Sequence, residues 1–132
     1  MKKPSEILEQ AKNLILDKNS WTTQTYARRK DNKFVRPNDP EAVCFCALGA
    51  LGNVCDCANI IRDKKNQAEE LAYHYLCTAA AKAAMVNKKI FNGSNLVTWV
   101  NDQLSHQDVL DMYDSAIELA KKISKKNLKF IK

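Results

Sequence analysis

Asp39-Pro40-Glu41-Ala42-Val43-Cys44-Phe45-Cys46-Ala47-Leu48-Gly49-Ala50-Leu51 is a nearly unbroken apolar run behind a polar start. Asp39 has the short acceptor side chain of a helix N-cap. Pro40 suits the first helical position, and Glu41 complements the positive end of the helix dipole. From Ala42 onward the run is apolar nearly all round, so the pattern predicts a helix at the centre of the fold. Gly49 inside it implies close approach by a neighbouring backbone or side chain, and Gly52-Asn53 is the expected stop.

Working outward, helical periodicity recurs on both sides. Residues 4–18 place Ile7, Leu8, Ala11, Leu14 and Ile15 on one stripe behind Pro4 and Glu6. Residues 66–86 form an alanine-rich helix burying Leu71, Ala72, Tyr75, Leu76, Ala79 and Ala80. A last helix starts near Ser105, with Asp108 completing an approximate capping box, and carries Val109, Met112, Tyr113, Ala116, Ile117 and Ala120. Leu128, Phe130 and Ile131 either extend it or lie back on the body. Between these, 53–65 is a short helical turn or a loop, 92–95 a turn, and Leu96–Val100 a short apolar piece ended by Asn101-Asp102.

Residues 21–37 differ in texture. Trp21, Thr22, Thr23, Thr25 and Tyr26 precede Arg28-Arg29-Lys30, a polar Asp31-Asn32, and Lys33-Phe34-Val35-Arg36 closed by Pro37. Two short arms around a polar turn predict a β-hairpin, with an irregular loop as the alternative. The expectation is therefore a mainly α chain. It forms a compact bundle of about four helices with a small extended or β-hairpin insertion near residues 22–36, in one domain over 1–132.

The totals exclude several classes. Three glycines and three prolines are too few for an all-β chain with many tight turns. No stretch approaches the roughly 20 apolar residues of a membrane span, and polar residues interrupt the N-terminus before a signal core forms. A cytoplasmic location follows, in which Cys44, Cys46, Cys55, Cys57 and Cys77 are free thiols unless a metal claims them. The net charge is +6, but residues 121–132 hold six lysines and no acid. The remainder carries 21 − 6 = 15 basic residues against 15 acidic ones. The body is neutral and the basicity belongs to a C-terminal tail.

Four features carry candidate chemistry. Cys44-x-Cys46 and Cys55-x-Cys57 supply enough thiolates for zinc. On a helix, however, Cys44 and Cys46 point to opposite sides, which favours core cysteines and no metal. Cys46 as a nucleophile would need His74 or His106 as base, and His74 reads instead as a surface partner of Glu70. Trp21, Arg28, Trp99, Asn101 and Asp102 bring together aromatic faces, a guanidinium, an amide and a carboxylate, the makings of a pocket for a ligand or partner. The structural alternative has the tryptophans pinning loops, Arg28 paired with Asp102, and Asn101-Asp102 in an Asx turn. Lastly, Arg28–Arg36 with Tyr26, Phe34 and the lysine tail makes a basic face for phosphate contacts.

Several of these segments also form a pattern: Trp21-Thr22 with Ala27-Arg28, Cys46-Ala47-Leu48-Gly49-Ala50-Leu51, and Trp99 with Asn101-Asp102. They resemble a family of small uncharacterised bacterial and bacteriophage proteins, a domain of unknown function, over roughly residues 5–120. Its members show W-T…A-R, W-C-A-L-G-A and W-N-D segments. Here Phe45 replaces the tryptophan before Cys46, and Val100 separates Trp99 from Asn101-Asp102. The resemblance implies a bacterial or phage setting, with host cytoplasm as the location if phage-encoded. The expectation is a small accessory protein acting by binding, without cofactor or membrane. Its partner is an unidentified protein or a small anionic, nucleotide-like ligand. Nucleic-acid binding, an enzyme using Cys46, and self-association through the 66–86 helix are the alternatives.

Overall fold

A computed structural model describes residues 2–87 and 95–130, the last six of them by backbone alone. The chain begins with α1 (Pro4–Leu14), where the Glu6 side chain accepts from the Lys3 amide and Ile7, Leu8 and Ala11 turn inward. It ends short of the expected residue 18. Asp17 accepts from Asn19 N and starts a 3₁₀ turn, Lys18–Ser20. A local cap thus outcompetes another helical turn.

The expected hairpin is present as β1 (Ala27–Arg29) and β2 (Phe34–Val35), joined through Asn32 at φ 72°. Asparagine tolerates that left-handed backbone better than most residues. A third strand, β3 (Ala42–Phe45), pairs antiparallel with the other side of β1, giving the order β2-β1-β3. Ala27 faces Phe45 and Arg28 faces Cys44, with an irregularity between Arg28 and Arg29.

β3 corrects the opening expectation. Asp39 does cap, but it caps a turn: its Oδ1 accepts from Glu41 N, and its carbonyl from Ala42 N. Val43 and Phe45 are β-prone, and pairing with β1 satisfies this segment's backbone groups before the helix begins. The helix itself, α2 (Ala47–Val54), starts eight residues after Asp39, with Cys46 as N-cap. Its position is as expected, for Ala47, Leu48, Ala50 and Leu51 are all buried. Gly49 has a specific cause: a Cβ there would run into the carbonyl of Tyr26.

Of the 53–65 segment, Asn53 and Val54 still belong to α2, which runs past the expected stop at Gly52-Asn53; the rest is a loop organised by Asn59, whose Oδ1 accepts from the Ile61 and Arg62 amides. Next comes α3 (Gln67–Val86), opened by a reciprocal Asn66–Glu69 capping box and burying Ala72, Tyr75, Leu76, Ala79 and Ala80. The turn expected at 92–95 lies, apart from Asn95, outside the described residues. Asn95 caps α4 (Leu96–Gln103), accepting from Val97 N and Thr98 N. The apolar 96–100 piece is therefore a fifth helix where about four were expected, and Asn101-Asp102 lie within it. α5 (His106–Phe130) starts at the expected Ser105–Asp108 box and carries the lysine-rich segment on its far end up to residue 130.

α1, α3 and α5 pack pairwise around the core, α2 lies on α1, and α4 lies on α3. The sheet sits against the start of α2, and α2 meets α4. Tyr113, wholly buried on α5, donates from its hydroxyl to the Ala47 carbonyl and ties the head of α2 to the bundle. Among the described residues no helix is long and apolar enough to cross a membrane.

Candidate functional site

The site lies where the 21–26 segment, the head of α2 and α4 converge. Trp21 leaves the 3₁₀ turn in a parallel bridge to Phe45, and Thr22 N donates to the Phe45 carbonyl at 3.0 Å. The chain then crosses from the sheet towards α4, and one amide receives it. Asn101 Oδ1 accepts from Trp21 Nε1 at 2.7 Å and from Ala47 N at 2.9 Å. Its Nδ2 donates to the Thr22 carbonyl and to Asp102 Oδ1, each at 3.0 Å. Asn101 is 1% exposed, and these four bonds use both acceptor sites and both donors of the amide. Asn101 is a structural junction.

Trp21 is held a second way. Its ring lies 5.2 Å from that of His106, whose Nε2 is 2.6 Å from the Ile15 carbonyl. Trp99 sits on α4, partly buried against the core. Arg28 holds the segment from the sheet side. Nε donates to Thr22 Oγ1 at 2.7 Å, Nη2 to the Thr23 carbonyl and Nη1 to the Asn32 carbonyl. The guanidinium also stacks 4.6 Å above the Phe34 ring. The pairing of Arg28 with Asp102 does not occur. β1 places Arg28 beside acceptors of its own loop, while Asp102 Oδ1 takes the Gln24 amide at 3.0 Å. Nor do Asn101 and Asp102 form an Asx turn, since both are helical.

Between the two walls lies an open cleft of about 380 Å³, lined by Gln24, Thr25, Tyr26, Cys46, Thr98 and Asp102. Of the five residues expected at a site, Asp102 alone lines it; Trp21, Arg28 and Asn101 build its frame. Gln24 stands at φ 67°, a left-handed conformation in which its amide donates to Asp102. Asp102 Oδ2 has no hydrogen-bond partner among the described residues. The sequence reading missed Thr98 as a wall residue, although a signal existed. Read as helical, 96–103 puts Thr98 and Asp102 four residues apart on one face.

Cys46 closes the floor. Its Sγ accepts from Gly49 N at 3.3 Å, and its amide donates to the Tyr26 carbonyl. Burial pushes this thiol up to about 11, overriding the Gly49 and Leu48 amides that favour the thiolate, and the Asp102 charge pushes the same way. Neither histidine bonds to it: His106 faces Ile15 and Trp21, and His74 pairs with Glu70 at 3.3 Å. Cys44 lies on β3 and bonds the Asn19 carbonyl. Burial, reinforced by Glu69, drives Cys55 to about 12. Among the described residues no cluster of histidine, cysteine or acid side chains suits a metal ion.

The head of α2 offers nothing to an anion, because Asn101 Oδ1 and Cys46 Sγ already occupy the amides of Ala47 and Gly49. What the cleft presents is one carboxylate oxygen beside groups that both donate and accept: a carboxamide, threonine hydroxyls and the Tyr26 side chain. No curated protein and no solved structure matches the chain. Residues 1–119, which take in β1, β2, β3, both cleft walls and all but the lysine-rich end of α5, match the family of unknown function DUF6197, and the chain belongs to that family.

Proposed function

We propose that this chain is a small, non-catalytic binding protein of bacterial or phage origin, and that the cleft between the 24–26 segment and α4 is where it binds. The observation carrying this reading is Asp102 Oδ2, which no described residue engages, in a cleft whose frame residues Trp21, Arg28 and Asn101 are each held by hydrogen bonds. The frame is built for rigidity: Asn101, Trp21 and Arg28 fix both walls, so a ligand meets a preformed shape and ordering costs less binding energy. A cleft of about 380 Å³ falls in the small-ligand range, which favours a small molecule over a flat protein partner.

The anionic ligand finds less support than the rest of the expectation. Asp102 is the one charged side chain among the six lining residues, and Arg28 is engaged behind the wall. Two like charges about 4 Å apart repel by about 4 kcal/mol at an effective dielectric constant near 20. Nucleophilic catalysis by Cys46 is disfavoured by a thiol pushed up to about 11 with no base bonded to it. The basic-face reading weakens as well, since Arg29 pairs with Asp31 and Glu41, and Lys121 with Glu9.

A fragment screen followed by amide chemical shifts tests the proposal. Hits are expected to move the amides of Gln24, Thr25, Tyr26, Thr98 and Asp102 together, and Thr98→Trp, which fills the cleft from its α4 wall, is expected to abolish them. Hits that cluster elsewhere, or that survive Thr98→Trp unchanged, overturn it.

A further inference from the structure

We infer that the ligand of this cleft is a small organic cation, an ammonium or amidinium carried on a compact hydrocarbon frame; the inference rests on the cleft being the binding site. Charge is the first argument. Asp102 is the sole carboxylate of the lining, and no lysine, arginine or histidine shares the cleft with it. Of its two oxygens, Oδ1 is committed to Gln24 N and Asn101 Nδ2, and these bonds fix the plane of the carboxylate. Oδ2 is therefore an oriented acceptor, which a charged N–H donor satisfies more strongly than a neutral one.

Stereochemistry is the second argument. Thr98 lies one helical turn from Asp102 on the same face of α4, so its hydroxyl can take a second proton of the same nitrogen. Gln24, at φ 67° with its backbone N–H donating to that carboxylate, adds a carboxamide to the lining. An ammonium or amidinium has several protons to distribute over such a set; a hydroxyl or a carboxylate does not. The third argument is the rest of the lining. Tyr26 and Cys46 add a ring and a thiol to the lining, which suits a hydrocarbon body, and no cationic side chain is there to anchor a phosphate or sulfate.

The test uses three probes of nearly equal shape: benzamidine, benzamide and benzoate, each titrated into the intact protein and followed by the amide shifts of Gln24, Thr25, Thr98 and Asp102. Benzamidine is expected to bind at least about tenfold more tightly than benzamide, with benzoate failing to shift these amides. The margin should narrow as sodium chloride is raised, because the discriminating contact is ionic. Asp102→Asn retains the Oδ1 acceptor for Gln24 N and is expected to bring benzamidine and benzamide within about twofold of each other. Equal binding of benzamidine and benzamide to the wild-type cleft, or an undiminished preference in Asp102→Asn, overturns the cation and leaves the cleft as a binding site. Tighter binding of benzoate does the same in favour of an anion. Silence of all three probes, together with a fragment screen that finds nothing there, overturns both. If Asp102→Asn does not fold, the three wild-type affinities and their salt dependence decide.

Discussion

Replacing Asn101 by alanine strips the acceptor from two N–H groups at once, the indole of Trp21 and the backbone amide of Ala47. Buried donors left without partners cost about 1–3 kcal/mol each, so Asn101→Ala is expected to lower the unfolding free energy by about 3–5 kcal/mol in urea. A loss below about 1 kcal/mol would show that water replaces the amide. At Cys46 the raised thiol gives a second prediction at this scale. With the group near 11, its thiolate fraction at pH 8 is about one in a thousand, since 11 − 8 is three decades. Iodoacetamide at pH 8, followed by peptide mass spectrometry, should label half-buried Cys44 more than tenfold faster than Cys46. Preferential labelling of Cys46 would restore the nucleophile. Single residues were the least legible part of the sequence. Residue type announced that Cys46 is buried, but its capping role depends on where α2 begins. Asn101 and Asp102 are neighbours of similar chemistry; one is locked in a frame and the other faces a cleft, a division set by partners 54 to 80 residues away.

Among the elements, the tightest constraint is the crossing of α2 against the segment that leads into β1. Gly49→Ala puts a methyl group into the Tyr26 carbonyl, backbone that cannot give way without breaking the Tyr26–Cys46 bond. The expected outcome is a loss of at least about 3 kcal/mol, or no folded protein, judged by circular dichroism. A variant as stable as wild type would mean that α2 shifts freely. The start of α3 allows a milder test. Asn66→Ala removes one half of a reciprocal cap and should cost about 1 kcal/mol in thermal or urea unfolding. Elements with a local signal were readable, which is why α1, α3, α5 and the β1–β2 arms lie close to their expected positions. β3 was not, because Asp39-Pro40-Glu41 signals a turn and a helix start alike. The choice between them is made by β1, a neighbour that local sequence does not reveal. Helix α4 was missed for its length, since eight residues show barely two turns of periodicity.

At the scale of the molecule, several groups lose protons less readily folded than unfolded. Burial holds Cys46 at about 11 and Cys55 at about 12 against an ordinary value of 9.0, and lifts Tyr113 well above 10.0. The folded protein thus retains protons that the unfolded chain releases. Stability is whole below about pH 9 and declines as pH rises through the folded values, with Cys46 contributing a slope of up to about 1.4 kcal/mol per pH unit between 9 and 11. Urea midpoints should be level from pH 7 to 8.5 and fall steadily by pH 10.5; a flat profile would mean these thiols ionise without unfolding.

The order of synthesis gives the Asn101 junction a further meaning. Trp21 and Thr22 leave the ribosome some eighty residues ahead of the side chain that secures them, and Ala47 leaves 54 residues ahead. Until then the Trp21 indole, the Thr22 carbonyl and the Ala47 amide lack the partner that joins them in the folded protein. A chain truncated before Asn101 should therefore yield no short but working product, and limited proteolysis should digest it faster than the intact protein.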